Sequence, residues 1–309
     1  MQNNKIYISM ILTAFLWSGA FVAGKMSVVI IPPISLTFFR FLFAVPLIFI
    51  ILCWKEPNNI IPEKKQIKPL VILGIIGTLG YHVFFFQSLR YTTAINSSLL
   101  GAVNPMLTAL FAVVFFKERT SISRIMGTII SLFGVFGVIT NLDVGIITSL
   151  NCNIGDLYML VGVLCFSVYS LLSRVYMKKY NISPLKTTAY TFLVCALVSF
   201  PGMLAENPQD YLHLANGQVW GEILYMAVFA SVVGYFLQLK AIQTIGAPKT
   251  AMFINLVPVF TIIQAVLILG EKFSLLKFCL MFLIMGGVYF ASRPDKIIDC
   301  SFDKIAKKV

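Results

Sequence analysis

The chain has 309 residues, of which 59% are hydrophobic and only 12% are charged. This composition provides too little polar surface to cover a soluble globule, and the mean hydropathy of +0.89 agrees. A net charge of +12 would suit a nucleic-acid-binding protein, but the basic residues lie in short clusters between apolar stretches and not along one polar face. The sequence therefore predicts a protein of the lipid bilayer that has no nucleic-acid partner.

Ten apolar stretches follow one another along the chain, separated by short segments that carry turn-forming and charged residues. Because unpaired backbone amides are costly in hydrocarbon, each stretch of about 20 residues is predicted to be a membrane-spanning helix. The ten predicted spans are 6–28, 34–54, 69–90, 94–116, 122–140, 155–177, 183–204, 221–245, 247–269 and 275–292. No small-residue cleavage site follows the first stretch, so it is interpreted as a retained span. The predicted fold is an all-α integral membrane protein with ten transmembrane helices.

The first half of the chain is repeated in the second half at an offset of about 153 residues. In the most similar stretch, residues 104–124 align with residues 257–277 without a gap. A repeat of this extent indicates two copies of one structural unit. We expect the units at residues 1–141 and 153–293, followed by a cytoplasmic tail at 294–309. Since each unit has an odd number of spans, the two copies are predicted to be inverted relative to one another in the membrane.

Two prolines and two glutamates occupy equivalent positions in the repeat. Pro105 and Pro258 lie inside predicted spans, where a proline removes a backbone hydrogen bond and kinks the helix. The matched pair is interpreted as two equivalent hinges, with a static kink for packing as the alternative. Glu118 and Glu271 follow 13 residues after the prolines, close to the ends of their helices. Each precedes a serine suited to capping the next helix, so a structural role is favoured for both glutamates.

Basic residues are distributed unequally between the two sides of this topology. With the N-terminus inside, eighteen Lys and Arg residues fall on the cytoplasmic side and four fall outside. Because cytoplasmic segments carry the excess of positive residues, both termini are predicted to be cytoplasmic. We expect a multi-pass protein of the cell membrane, either the plasma membrane or the inner membrane.

Three short motifs stand out in the first half of the chain. They are WSGAFVAGK at 17–25, RFLFA at 40–44 and SLRYTTA at 88–94, and the repeated proline–glutamate spacing accompanies them. On these motifs the chain resembles the EamA-type carriers of the drug/metabolite transporter superfamily over essentially its whole length. The resemblance implies two inverted five-helix halves around a central cavity, which is lined by the first, third and fourth helices of each half. It does not identify the substrate.

Aromatic and polar side chains recur at helical spacing on the helices that the resemblance makes central. Such stripes often serve packing or lipid contact, but several of them together favour an amphipathic binding cavity. The candidate cavity residues are Trp17, Phe21, Tyr81, His82, Phe85, Asn104, Phe166, Tyr169, Tyr235, Gln238 and Asn255. For His82, two interpretations stay open: it lines the cavity, or it binds a backbone carbonyl.

Two charged residues lie within predicted spans. Arg40 is only about four residues, or roughly 6 Å, from the middle of its span. An ionisable residue at this depth suggests function, although its guanidinium can also reach toward the interface and anchor the helix. Lys240 lies about 11 Å from the middle of its span, where its side chain can extend to the lipid headgroups.

The predicted organisation is typical of a secondary carrier, because two inverted halves can exchange shapes and open a central cavity to each side in turn. We expect a monomer that transports a small organic metabolite, such as an amino acid or a related compound, without a cofactor. Nucleotide-linked metabolites and drugs or amines are the alternatives. A non-transporting scaffold is less favoured, as is a membrane-embedded enzyme, since the sequence has no paired carboxylates, catalytic Cys/His or Ser/His set, or metal-ligand spacing.

Overall fold

The computed structural model describes residues 2–116, 122–143, 152–246, 250 and 253–291. In chain order, its main helices are α1 (Gln2–Ser27), α2 (Pro33–Lys55), α3 (Lys64–Tyr91), α4 (Ala94–Gly101), α5 (Asn104–Phe116), α6 (Ile122–Thr140), α7 (Ile154–Tyr180), α8 (Pro184–Ala205), α9 (Gly217–Ile245), α10 (Leu256–Leu269) and α11 (Leu275–Ala291). A 3-10 turn at Pro57–Asn59 and a short helix at Gln209–Leu212 lie in the connections. No strand occurs in these ranges.

The helices have the length and composition of membrane spans. Seven helical segments in the described parts of the chain are long and apolar enough to cross a membrane, one of them being Ala94–Phe111, which takes α4 and the start of α5 together; three shorter apolar helices lie within α6, α10 and α11. Large apolar side chains such as Ile8, Leu197 and Leu267 are well exposed, as expected where lipid is the solvent. The prediction of an all-helical, multi-pass membrane protein is thereby confirmed.

The fourth predicted span is not one continuous helix. A turn at Ala102 and Val103 separates α4 from α5, and Pro105 is the second residue of α5. Similarly, Pro258 is the third residue of α10, which begins directly after a turn at Asn255. Each proline therefore begins a helix and does not kink the interior of one. The physical reason is that a proline in the first helical turn lacks only an N–H group that would have no helical partner there.

Two central helices contain π-helical segments at equivalent positions in the repeat. The segments are Leu73–Gly80 in α3 and Met226–Tyr235 in α9, and their first residues differ by the repeat offset of about 153. A third segment, Ala265–Leu269, ends α10. π-Helical turns are rare and often occur at functional sites. The sequence pattern predicted regular helices here, because hydrophobic length alone does not distinguish the two.

Helix packing in one half of the chain has a counterpart in the other half. Two helices pack against their own equivalents, α2 against α8 and α6 against α11, and α4 packs against α10. In addition, α3 packs against α7 and α8, and its equivalent α9 packs against α1 and α2. The same set of contacts is thus made twice, as expected from two similar units packed face to face.

Glu206, which follows α8, holds the first turn of α2. Its carboxylate accepts hydrogen bonds from the backbone N–H groups of Ile34, at 3.2 Å, and Ser35, at 2.7 Å. It also accepts from the hydroxyl of Ser35, at 2.6 Å. A carboxylate at this position satisfies free N–H groups and interacts favourably with the positive end of the helix dipole.

Glu271, which follows α10, makes the same kind of contact with α4. Its two carboxylate oxygens accept from the backbone N–H groups of Ala94, at 2.7 Å, and Ile95, at 3.0 Å. These bonds fasten the second half of the chain to the first at a helix end, in keeping with a structural role. Its repeat equivalent, Glu118, lies outside the described residues.

We expect Glu206→Ala to lower the free energy of unfolding by about 1–2 kcal/mol, the usual range for a lost helix cap. Glu206→Gln should lose less, because its amide oxygen can still accept one backbone N–H. Reversible unfolding of the purified protein in detergent would measure both variants, with the exposed Asp210→Ala as the control. Equal stability of Glu206→Ala and the parent would contradict this role.

Candidate functional site

A cavity of about 40 Å³ lies between helices of both halves. The sixteen residues that line it are Trp17, Ala20, Phe21, Arg40, Tyr81, His82, Phe85, Ser98, Gly101, Asn104, Met159, Val163, Phe166, Tyr235, Ile254 and Val257. Eight of the eleven candidate cavity residues are among them. The sequence pattern did not select the small and aliphatic ones, because such residues are equally typical of helix packing.

Three candidate residues lie outside the cavity wall. Tyr169 is buried behind it and contacts the rings of Phe166, at 5.9 Å, and Tyr235, at 6.1 Å. Gln238 and Asn255 are also buried but do not line the cavity. Gln238 follows Tyr235 by three residues of α-helix, which leaves the two side chains about 60° apart, and only Tyr235 lines the cavity.

The aromatic rings of the cavity form one connected cluster. The ring of Trp17 lies 5.8 Å from that of Phe166 and 5.6 Å from that of Tyr235. Tyr81 lies 4.8 Å from Phe166, and His82 lies 5.8 Å from Tyr235. His82 and Tyr235 are equivalent positions at the repeat offset of about 153. The two halves therefore meet ring to ring at the cavity.

Trp17 is positioned by the π-helical segment of α9. Its indole Nε1 donates a hydrogen bond to the carbonyl of Ala230 at 2.9 Å. A methyl group at Gly234 would overlap the indole ring, so only a glycine allows the ring to approach the helix this closely. The long-range hydrogen bond to Ala230 and the absence of a side chain at Gly234 together define the orientation of Trp17.

Arg40 is the one cavity residue that comes from α2. The residue is 3% exposed, and its Nε donates to the hydroxyl of Ser231 at 2.8 Å. Its guanidinium carbon lies 5.7 Å from the centre of the Phe41 ring. Within the described ranges, no carboxylate forms an ion pair with it. The side chain therefore lines the cavity and does not extend to the interface, in contrast to Lys240, which is exposed and lies outside the cavity.

Three cavity residues carry buried polar atoms without a hydrogen-bond partner, namely Nε2 of His82, the hydroxyl of Tyr235 and Nδ2 of Asn104. Nδ1 of His82 lies 2.7 Å from the carbonyl of Thr78 and must donate to it, so Nε2 is the acceptor in the neutral ring. Oδ1 of Asn104 accepts from Ser167 at 2.7 Å, which leaves the amide nitrogen as a free donor. A buried polar atom without a partner costs about 1–3 kcal/mol, and a bound ligand or water can supply the missing partner.

The two repeat prolines lie beside the cavity. Gly101 and Ile254, which stand four residues before Pro105 and Pro258, both line it. The repeat thus places equivalent backbone from each half at the same site.

The lining combines one charged side chain with polar and aromatic groups. Across the described ranges, no group of three or more His, Cys, Asp or Glu side chains could hold a metal ion. The lining contains one cation, one imidazole, hydroxyls, an amide and aromatic rings, but no carboxylate. These groups are suited to recognising an amphipathic small molecule.

Comparisons with known proteins point to transport. Residues 4–140 and 153–293 match the EamA-like transporter family. The chain is 32% identical over 298 residues to the "Uncharacterized transporter YyaM" of Bacillus subtilis, a match that covers 96% of each protein. It is 28% identical over 297 residues to an "Uncharacterized transporter" of Archaeoglobus fulgidus, covering 95% of this chain and 99% of the relative. A solved structure that is 18% identical in sequence superposes with a TM-score of 0.68. The match covers 93% of this chain and 96% of the chain of that structure, which indicates a shared fold.

We expect Gly234→Val to displace the Trp17 ring and to lower stability by roughly 1–3 kcal/mol, as is usual for overpacking. Fluorescence can follow this in a background where Trp54→Phe and Trp220→Phe leave Trp17 as the single tryptophan. Its emission should shift and acrylamide quenching should increase. Gly221→Val on the same helix is the control, because no atom lies within 4 Å of the position of its added Cβ. Unchanged Trp17 emission in Gly234→Val would contradict the assignment.

Proposed function

The chain belongs to the EamA-like transporter family, and on that premise we propose that it is a secondary carrier that moves a small organic metabolite by alternating access. The observation that carries the proposal is the cavity, which both halves line with aromatic rings and unpartnered polar atoms. Amino acids and related compounds are the first substrates to test. The carrier acts as a monomer in the cell membrane and needs no cofactor.

Contacts at the helix ends support two inverted halves. Lys25, at the end of α1, donates to the carbonyls of Leu89 and Thr92 at the end of α3, each at 2.7 Å. Asn153, at the start of α7, donates to the carbonyl of Tyr91 at that same end, at 3.0 Å. The end of α1 and the start of its equivalent α7 are therefore on one side. With α4 and α5 counted as a single broken span, we infer ten spans in two inverted five-helix halves.

The size of the cavity favours a conformational cycle. A buried water needs about 10–15 Å³ of such space, so a cavity of about 40 Å³ has room for only about three waters. A metabolite of ten or more heavy atoms requires the helices around the cavity to separate. Because the packing of each half is repeated in the other, the same separation can occur toward either face of the membrane.

We expect the termini to be cytoplasmic, which single cysteines in a cysteine-free background can test. Asp210→Cys, in the connection between α8 and α9, should react with an impermeant maleimide in intact cells. Asn58→Cys, between α2 and α3, should react only after permeabilisation, since both positions are exposed but lie on opposite faces of this topology. Labelling of both positions in intact cells would overturn the topology.

Counterflow in proteoliposomes tests transport directly, with a panel of labelled amino acids and related metabolites. We expect Trp17→Ala, Tyr81→Ala and Tyr235→Ala each to reduce exchange about five- to tenfold, because a lost aromatic contact is worth roughly 1–1.5 kcal/mol. The control is Phe229→Ala, on the exposed face of α9. Exchange that is equal in all four variants would contradict the cavity assignment. An absence of exchange for the whole panel would favour a non-transporting scaffold.

A further inference from the structure

The cavity has one fixed charge, and that charge is positive. Arg40 is the only Lys, Arg, Asp or Glu among the sixteen lining residues. Carboxylates elsewhere in the described residues interact with other groups: Glu206 and Glu271 hold helix N-termini, Glu222 accepts from the hydroxyl of Ser27 at 2.6 Å, and the buried Asp156 interacts with Thr92 and Asn96. Within the described part of the chain, the charge of Arg40 is therefore not balanced by an acidic side chain.

We propose that Arg40 is the anion-binding group of the transport site and that the substrate carries one carboxylate on an apolar or aromatic body. The assignment of this ligand as a transported substrate rests on the proposed function. The assignment of a carboxylate site rests on the geometry of Arg40 and on the charge of the cavity.

The contacts of Arg40 leave the two terminal nitrogens of its guanidinium available to bind a ligand. The bond from Nε to the Ser231 hydroxyl fixes one side of the guanidinium, and the described residues make no further hydrogen bond with it. The two terminal nitrogens then form the planar pair of donors that matches the two oxygens of a carboxylate. Ser231 is a positioning residue in this arrangement, because it acts through Arg40.

Electrostatics determines which ligands the site accepts. A buried cation without a partner is unfavourable, and a bound carboxylate provides the missing negative charge. An amine without an acid group would bring a second positive charge into the same enclosed space and is therefore rejected. A single guanidinium balances a single carboxylate, so a dianion would leave one charge without a partner.

The remaining lining determines the rest of the ligand. The rings of Trp17, Tyr81, Phe166 and Tyr235 offer faces and edges to an apolar or aromatic body. The free amide donor of Asn104 and the Tyr235 hydroxyl supply further hydrogen bonds to an acidic head group. Together these groups describe a site for an amphipathic monocarboxylate.

Binding to the full-length protein in detergent tests the proposal with matched probes that differ only in the head group. The probes are phenylacetate, phenylacetamide and phenethylamine, together with butyrate, butyramide and butylamine. Emission of Trp17 as the single tryptophan reports occupancy. In the parent, at least one carboxylate should bind about tenfold or more tightly than its amide, and neither amine should compete. If neither carboxylate binds, the proposal is overturned.

Variants separate recognition by Arg40 from general effects on folding. Arg40→Gln should abolish the preference for acid over amide, and Arg40→Lys should keep part of it because the charge remains. Ser231→Ala should weaken carboxylate binding several-fold without changing amide binding. Ser231→Thr keeps the hydroxyl and should restore carboxylate binding. Lys240→Gln, which removes a charge outside the cavity, should change neither. An unchanged acid preference in both Arg40→Gln and Ser231→Ala would overturn the proposal.

Proteoliposome exchange distinguishes failure of this inference from failure of the proposed function. Carboxylate binding that depends on Arg40, without exchange of any probe or metabolite, would contradict transport and leave the carboxylate site in place. Exchange of a neutral compound or an amine that is equal in Arg40→Gln and the parent would contradict the carboxylate site and leave transport in place.

Discussion

The structure depends on one constraint: backbone N–H and carbonyl groups cannot remain unpaired in hydrocarbon. Helices satisfy that constraint along their length but leave free groups at their ends. In this protein, carboxylates from the other half of the chain satisfy two such ends, where Glu206 binds the start of α2 and Glu271 binds the start of α4. The same contacts that complete the helices also join the two halves.

Departures from regular helix are concentrated around the cavity. The turn before Pro105, the turn before Pro258 and the π-helical segments of α3 and α9 all adjoin lining residues. Irregular backbone is tolerated at membrane depth where it is buried in protein or lines a cavity. Since these features recur at equivalent places in the two halves, the cavity is built from matching irregularities, whereas Arg40 aligns with Leu193 at the repeat offset.

Much of this architecture could be predicted because it follows from short-range properties of the chain. The length of each apolar stretch determines that it forms a helix of membrane-spanning length, and helical spacing groups Trp17 with Phe21 and Tyr81 with Phe85. All four of these residues line the cavity. The repeat offset also identified Pro105 and Pro258 as equivalent, although hydrophobic length could not indicate that a helix begins beside each of them.

By itself, the sequence determined the helical membrane class, the approximate spans, the internal repeat and most of the aromatic cavity residues. Tertiary structure alone decided which way Arg40 points, because that depends on Ser231, a hydroxyl 191 positions away in the chain. It also decided that Tyr169, Gln238 and Asn255 lie outside the cavity wall. Side-chain periodicity is a local property of one helix, whereas the lining of a cavity is set by how several helices are rotated against each other.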